Sequence, residues 1–454
     1  MKRFFLFTLL AAFLAVGFSS CSKDKTGVPD APVIGSIENA EDGMEMKVGA
    51  SVTFTANMTT PEEQAIYRWT VDNQQVGTEK TYTFTPTAVG PYAIQLSVLN
   101  ESGYDSEMFT VNVVLYKGGF FILNEGSYGK TMGSVDYFAD ANTRTPKVYQ
   151  AANPGKELGN TAEYGVNWNG NYYFVSKQGR TLVKASASDF KDRGEFIASV
   201  AGSEADGRSF AGINENFGVY TTSEGAYIVD LNAFKSTKYL EGSKGTGTTG
   251  MSAQCGGAIA AGNYIFVINV EDGVLVYSKS DFSLVRSALC PAHIGFVKSK
   301  DGNIWASDGP KLYCINPSTL AVTETALPTG LAVYTDQWAW KPAMFDASAT
   351  ENALYFASSI VNGYSVEVRD IYKYKIGDFS SLAQPFAKGG AADFLYGGGF
   401  RVNPENNDIV ATFVGVSWGD NQNKLVVFDG QTGAEKSRKT YEDYVFPAMV
   451  IFNN

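Results

Sequence analysis

The chain has 454 residues, of which 44% are hydrophobic and 18% charged, with a formal net charge of −11. That length exceeds one ordinary domain, and the balance excludes a largely disordered chain. The acidity excludes non-specific binding to a nucleic-acid backbone, and the single histidine, His293, excludes a multi-histidine metal site and disfavours a Ser-His-Asp or Cys-His apparatus. Abundant Tyr, Phe and Gly favour β architecture, because flat side chains suit a half-buried pleated surface and glycine suits tight turns.

The chain opens with Lys2 and Arg3, an apolar run over 4–18, then Ser19, Ser20 and Cys21. A basic start, a short apolar run and small residues describe a secretory signal over 1–20, too short for a comfortable permanent span. The small pair before Cys21 resembles a bacterial lipobox. That resemblance implies lipidation of Cys21, although Phe18 stands where a lipobox usually carries Leu; plain secretion is the alternative. Residues 21–30 read as a polar tether. Cys255, Cys290 and Cys314 remain, an odd number without CxxC spacing, so at most one internal disulfide forms and buried free thiols are favoured.

Residues 31–115 alternate with period two in SVTFTA, AIYRWTV, KTYTFTP, YAIQLSVLN and MFTVNVVL, separated by turn residues. This spacing predicts a small β-sandwich. The run YRWTVDN…YTFTPTAVGPYAIQLSVLN resembles the PKD type of Ig-like domain, which implies that Trp69 is a core residue. No chemistry is assigned to this module, which reads as a spacer.

Residues 116–454 repeat a unit of strand, Asn/Gly/Asp turn, strand, variable loop, strand. The second strands begin near 120, 172, 218, 264, 304, 354 and 409, about 48 residues apart. The first unit lacks a leading strand, and the last is followed by a surplus strand, FPAMVIF, at 446–452. These features predict an all-β chain whose larger part is a seven-bladed β-propeller closed by its C-terminal strand; two stacked sandwiches are the alternative. The turns NWNGN, SKDGN, TENAL and NPENND read as structural hairpins sharing one face.

Connections on the other face are uneven. Those at 124–134, 358–370 and 413–424 are enlarged, flanked by long segments at 330–344 and 386–399. Long loops on a rigid scaffold are where binding residues concentrate. Candidate ligand contacts are Tyr128, Lys130, Trp338, Trp340, Lys341, Arg369, Tyr396 and Trp418, with Tyr334 and Tyr364 nearby and further charge from Lys177, Arg180 and Arg208. Aromatic faces suit large planar ligands, and Lys or Arg beside them suits anionic groups. Each aromatic alone is better explained by blade packing; the cluster carries the reading. No protein metal ligands, cofactor or catalytic residues are expected, and with no acid–base constellation visible the chain is read as a non-enzyme.

With the signal and the PKD-like module, the stretch FFILNEGSYG…GSVDYF at 120–138 resembles Bacteroides-type surface lipoproteins with surface-layer, YVTN-like or domain-of-unknown-function propellers. The resemblance implies a lipid-anchored outer-membrane protein exposed at the cell surface. It further implies a partner of a TonB-dependent transporter that captures a bulky metal chelate. A ferric tris-catecholate siderophore is aromatic and anionic, which suits Trp and Tyr beside Lys and Arg. A corrinoid is the runner-up; adhesion or glycan binding is a rival, and a propeller hydrolase or lyase a more distant one.

Overall fold

The computed structural model describes residues 28–62, 64–196, 199–200, 203–244, 255–334, 343–362, 365–415, 423–441 and 446–453. The chain divides into two compact units.

Residues 34–114 form a β-sandwich. One sheet joins Ile34–Glu38, Val52–Met58 and Thr81–Phe84; the other joins Met44–Lys47, Gly103–Val114, Gly90–Asn100, Ile66–Val71 and Gln74–Gly77. Alternation sends every second side chain inward. Ile94, Leu96 and Val98 are thus fully buried, together with Trp69 and Phe54. The Trp69 and Phe54 rings lie 6.2 Å apart, and the indole Nε1 donates to the Glu79 carbonyl at 3.0 Å, which removes the cost of burying that N–H.

Among the described residues the second unit holds seven four-stranded antiparallel sheets. Six are built in chain order, inner strand first. Their inner strands are Asn160–Trp168, Gly207–Gly212, Cys255–Ala261, Ile294–Lys298, Phe345–Ala347 and Phe394–Val402, in the second to seventh sheets. The first sheet takes its inner strand from the end of the chain: Pro447–Phe452 pairs antiparallel with Phe120–Asn124, followed outward by Ser134–Phe138 and Arg144–Thr145. Each inner strand touches the next, and Pro447–Phe452 touches both Phe394–Val402 and Asn160–Trp168. The arrangement is radial and propeller-like.

The seams between sheets explain why the strands are apolar on both faces. A separate apolar cluster fills each of the seven seams. Phe120–Asn124 is buried along its length. Its Phe121 and Leu123 enter the seam with the second sheet, while Phe120 and Ile122 enter the seam with the seventh. Outer strands such as Lys235–Tyr239 face solvent and are polar.

The turn between third and fourth strands also recurs. Phe190, Phe234, Phe282 and Leu320 occupy it with φ of 57°, 51°, 60° and 61°. Bulky residues rarely accept this conformation. Here it points each side chain into or against a seam, where Phe190 and Phe234 are buried. In the seventh sheet Gly433 replaces them, since a Cβ there would run into the Phe386 carbonyl.

The three cysteines within the described residues are free. Burial pushes the Cys290 and Cys314 thiols up to about 11, so both stay protonated and unreactive at neutral pH. His293 is half-buried, and its backbone N–H donates to the Ser307 carbonyl at 2.9 Å.

Candidate functional site

The best-defined part of the loop-bearing face is the hairpin between Phe120–Asn124 and Ser134–Phe138. Gly126 opens it with φ of 80°, and a Cβ there would collide with the Thr131 carbonyl. The tip closes through Ser127 N–H to Thr131 O at 3.0 Å and Lys130 N–H to Ser127 O at 2.8 Å. Asn160, the buried first residue of the second sheet's inner strand, holds the tip from below. Its Oδ1 accepts from Gly129 N–H at 2.9 Å, and its Nδ2 donates to Ser127 O at 2.8 Å and Thr131 O at 2.7 Å. One amide thus satisfies three backbone groups. The clamped tip displays Tyr128, 65% exposed, and an exposed Lys130, with Met132 beside them 52% exposed.

Beneath the tip lies Glu125, buried to 6% exposure. Its carboxylate accepts the Tyr396 hydroxyl at 2.5 Å, its N–H donates to Phe446 O at 2.8 Å, and its carbonyl accepts from Ala162 N–H at 2.9 Å. Glu125 therefore ties the first sheet to the second, to the seventh, and to the segment entering the closing strand. Tyr396 is itself buried, with its ring 5.1 Å from that of Phe446. Expected as a ligand contact, it instead has both ring and hydroxyl occupied by protein.

Arg369 is half-buried; it donates to the Ala391 carbonyl at 2.7 Å, and its guanidinium lies 5.5 Å from the Phe394 ring centroid. Tyr334 is half-buried against the seam of the sixth and seventh sheets. Trp338, Trp340, Lys341, Trp418, Tyr364 and Cys21 lie outside the described residues. The additional basic residues are committed to the scaffold. Lys177 pairs with Glu163 at 2.5 Å, and Arg208 is buried beside Asp206 at 3.4 Å. Arg180 binds Glu195, Asp192 and the Tyr149 hydroxyl. Burial works against the Asp192 carboxylate, but hydrogen bonds from Tyr149, Arg180 and Lys156 outweigh it and hold the group down at about 2.

Tyr128 and Lys130 are legible in the sequence as loop residues, whereas Asn160 and Glu125, which aim them, are not. The only local signal was the Asn124-Glu125-Gly126 run, whose carboxylate role depends on residues hundreds of positions away. Among the described residues no group of three or more His, Cys, Asp or Glu side chains could hold a metal ion, and no helix is long and apolar enough to cross a membrane.

Residues 118–453 match the family model described as domain of unknown function (DUF5074), and residues 31–100 match the PKD-like domain. No curated protein matches. Among solved structures, the chain is similar to a quinonprotein alcohol dehydrogenase-like protein from Bacteroides thetaiotaomicron VPI-5482. The two share 18% identity and a TM-score of 0.57, over 94% of this chain and 100% of that one. A weaker likeness, at 13% identity and a TM-score of 0.41, relates 86% of this chain to 98% of apo AztD from Citrobacter koseri. At 18% identity the first of these likenesses is one of fold.

Proposed function

We propose that this chain, which belongs to the DUF5074 family, is a cell-surface lipoprotein, anchored in the outer membrane through Cys21, that captures a bulky metal chelate. In this reading its seven sheets are the blades of a propeller closed by the C-terminal strand. The loop-bearing face binds a ferric catecholate siderophore and delivers it to a TonB-dependent outer-membrane transporter, without catalysing a reaction.

The observation that carries the reading is the Glu125–Gly133 hairpin. Ordinary loop tips are polar and pliable, whereas this one is clamped by Asn160 and spends its rigidity on displaying an aromatic ring and an ammonium group to solvent. A tip whose backbone is held in place and which carries an aromatic ring and a cation suits a flat, anionic surface. Trp338, Trp340 and Lys341 lie in the connection from the fifth sheet's outer strand to the sixth sheet's inner strand. Trp418 lies in the second-to-third-strand connection of the seventh sheet. Both connections join strand ends on the same side as the hairpin. The chelator fills the metal's coordination shell, so no protein ligands to iron are required.

The test is equilibrium dialysis of the soluble chain from Ser22 onward against a ferric tris-catecholate and against cyanocobalamin, with intrinsic tryptophan fluorescence as a second readout. Saturable binding of the ferric chelate supports the proposal. Binding of cyanocobalamin alone transfers the site to the corrinoid reading, and binding of neither overturns chelate capture.

A further inference from the structure

The axis around which the inner strands gather encloses a cavity of about 240 Å³ that the function proposed above does not use. Every sheet contributes to its wall: Tyr164, Ser209, Gly257, Phe296, Asp346, Arg401 and Met449 come from the seven inner strands in turn. The charged residues that line it are Lys298, Asp346 and Arg401. They sum to one net positive charge, inside a chain whose overall charge is −11.

The hydrogen-bond ledger of this wall is incomplete on the donor side. Arg401 uses only Nη1, donating to the Phe400 carbonyl at 2.7 Å and to Ala343 O and Gly398 O at 3.3 Å. Its Nε and Nη2 meet no acceptor among the described residues, although a guanidinium carries five N–H donors. The Tyr164 hydroxyl likewise has no protein partner among the described residues, and Lys298 has no ion-pair partner there. Asp346 does not supply the missing acceptor. Its two oxygens accept from the backbone N–H groups of Ala347 at 2.9 Å and Val402 at 2.8 Å, and it makes no ion pair with Arg401, although its charge still acts favourably on the guanidinium. Burial pulls the Arg401 guanidinium down and pushes the Asp346 carboxyl up, the signature of charges short of solvation. Inner strands also have a neighbour on one side only, so their free edges add both backbone N–H and C=O groups around the axis.

We propose that the axial cavity is a binding site for a small oxyanion, phosphate or a short carboxylate, held by the free edge of Arg401 and by Tyr164, with Lys298 adding charge. The cavity has room for about eight waters, which accommodates one such ion with part of its hydration. A planar guanidinium with two adjacent unpaired N–H groups matches two oxygens of a carboxylate or phosphate. Organic ligands of siderophore size do not fit this volume, so the cavity takes a different class of ligand from the loop face.

The experiment is isothermal titration of the full soluble chain with inorganic phosphate and, separately, acetate, each at an ionic strength fixed with chloride. Saturable binding of one ion per chain is expected, weakened about tenfold or more by Arg401→Gln. Because a channel arginine also holds three carbonyls, Tyr164→Phe and Lys298→Gln serve as variants that leave those contacts in place, and each is expected to weaken binding several-fold. Preference between the two arms reads which oxyanion geometry the site takes. The proposal is overturned if neither ion gives saturable heat, or if all three variants bind as the parent does. Loss of chelate capture on the loop face would leave this result unaffected.

Discussion

Deleting residues 447–454 removes the strand that pairs with Phe120–Asn124 at five register positions, from Pro447 opposite Asn124 to Phe452 opposite Phe120. The lost strand serves two seams at once. Met449 and Ile451, 8% and 5% exposed, pack with the second sheet, while Val450, 2% exposed, packs with the seventh. Burying one such side chain contributes roughly 1.5–3 kcal/mol, so three contribute about 5–9 kcal/mol, an upper estimate because the unfolded chain already hides some apolar surface. Total stabilities run to only about 5–15 kcal/mol. The deletion also exposes Phe120–Asn124 as an open, apolar sheet edge. Thermal melting at a fixed scan rate, with size-exclusion chromatography, is the assay. The shortened chain is expected to melt at least roughly 10 °C lower and to associate. A synthetic peptide of the deleted sequence, supplied in excess, should recover part of the loss. A shortened chain that melts within about 2 °C of the parent and stays monomeric would refute ring closure by this strand.

Two further outcomes follow from particular contacts and one from the proposed binding face. Asp192 is held at about 2, below its ordinary 3.8, so its contribution to stability is complete above about pH 4 and is lost as pH falls toward 2. Asp192→Asn should therefore cost on the order of 2 kcal/mol in urea unfolding at pH 7 and progressively less below about pH 4; a pH-independent difference would contradict the assignment. Tyr396→Phe takes the hydroxyl donor from the buried Glu125 carboxylate and is expected to cost about 1–3 kcal/mol, read by chemical denaturation, with an unchanged midpoint arguing against the tie between sheets. Trp338→Ala combined with Trp340→Ala should weaken ferric-chelate capture at least tenfold while leaving the melting temperature in place; undiminished affinity would remove both residues from the site.

Much of the architecture is legible in the sequence because its determinants are local. The repeat spacing puts second strands near 172, 218 and 354, and the structure begins them at Asn171, Phe217 and Ala353. Alternation and Asn/Gly/Asp turns act over a few residues, so they survive in the string. Trp69 is readable for the same reason. The polar outer strands leave no such local mark. Lys235–Tyr239 carries no apolar stripe, because its exposed surface has nothing to bury. The site itself divides along the same line. Tyr128 and Lys130 are readable as loop residues, whereas the clamp on them is not, because Asn160 lies 31 positions from Gly129 and Tyr396 lies 271 from Glu125. Burial of Tyr396 was hidden because an aromatic in a Gly-rich stretch reads equally as display or as packing. The axial arginine was invisible for a related reason: Arg401 sits in an ordinary strand pattern, and only the meeting of seven inner strands makes its unpaired edge meaningful.

In the proposed function the loop-bearing face captures the chelate. Hydrogen–deuterium exchange of the soluble chain, with and without saturating ferric tris-catecholate, tests it most directly. Protection is predicted at 126–132, 335–342 and 416–422, with no change at the opposite turns 168–171, 299–303 and 403–408. Protection at those turns instead, or no protection anywhere under saturating chelate, would contradict it.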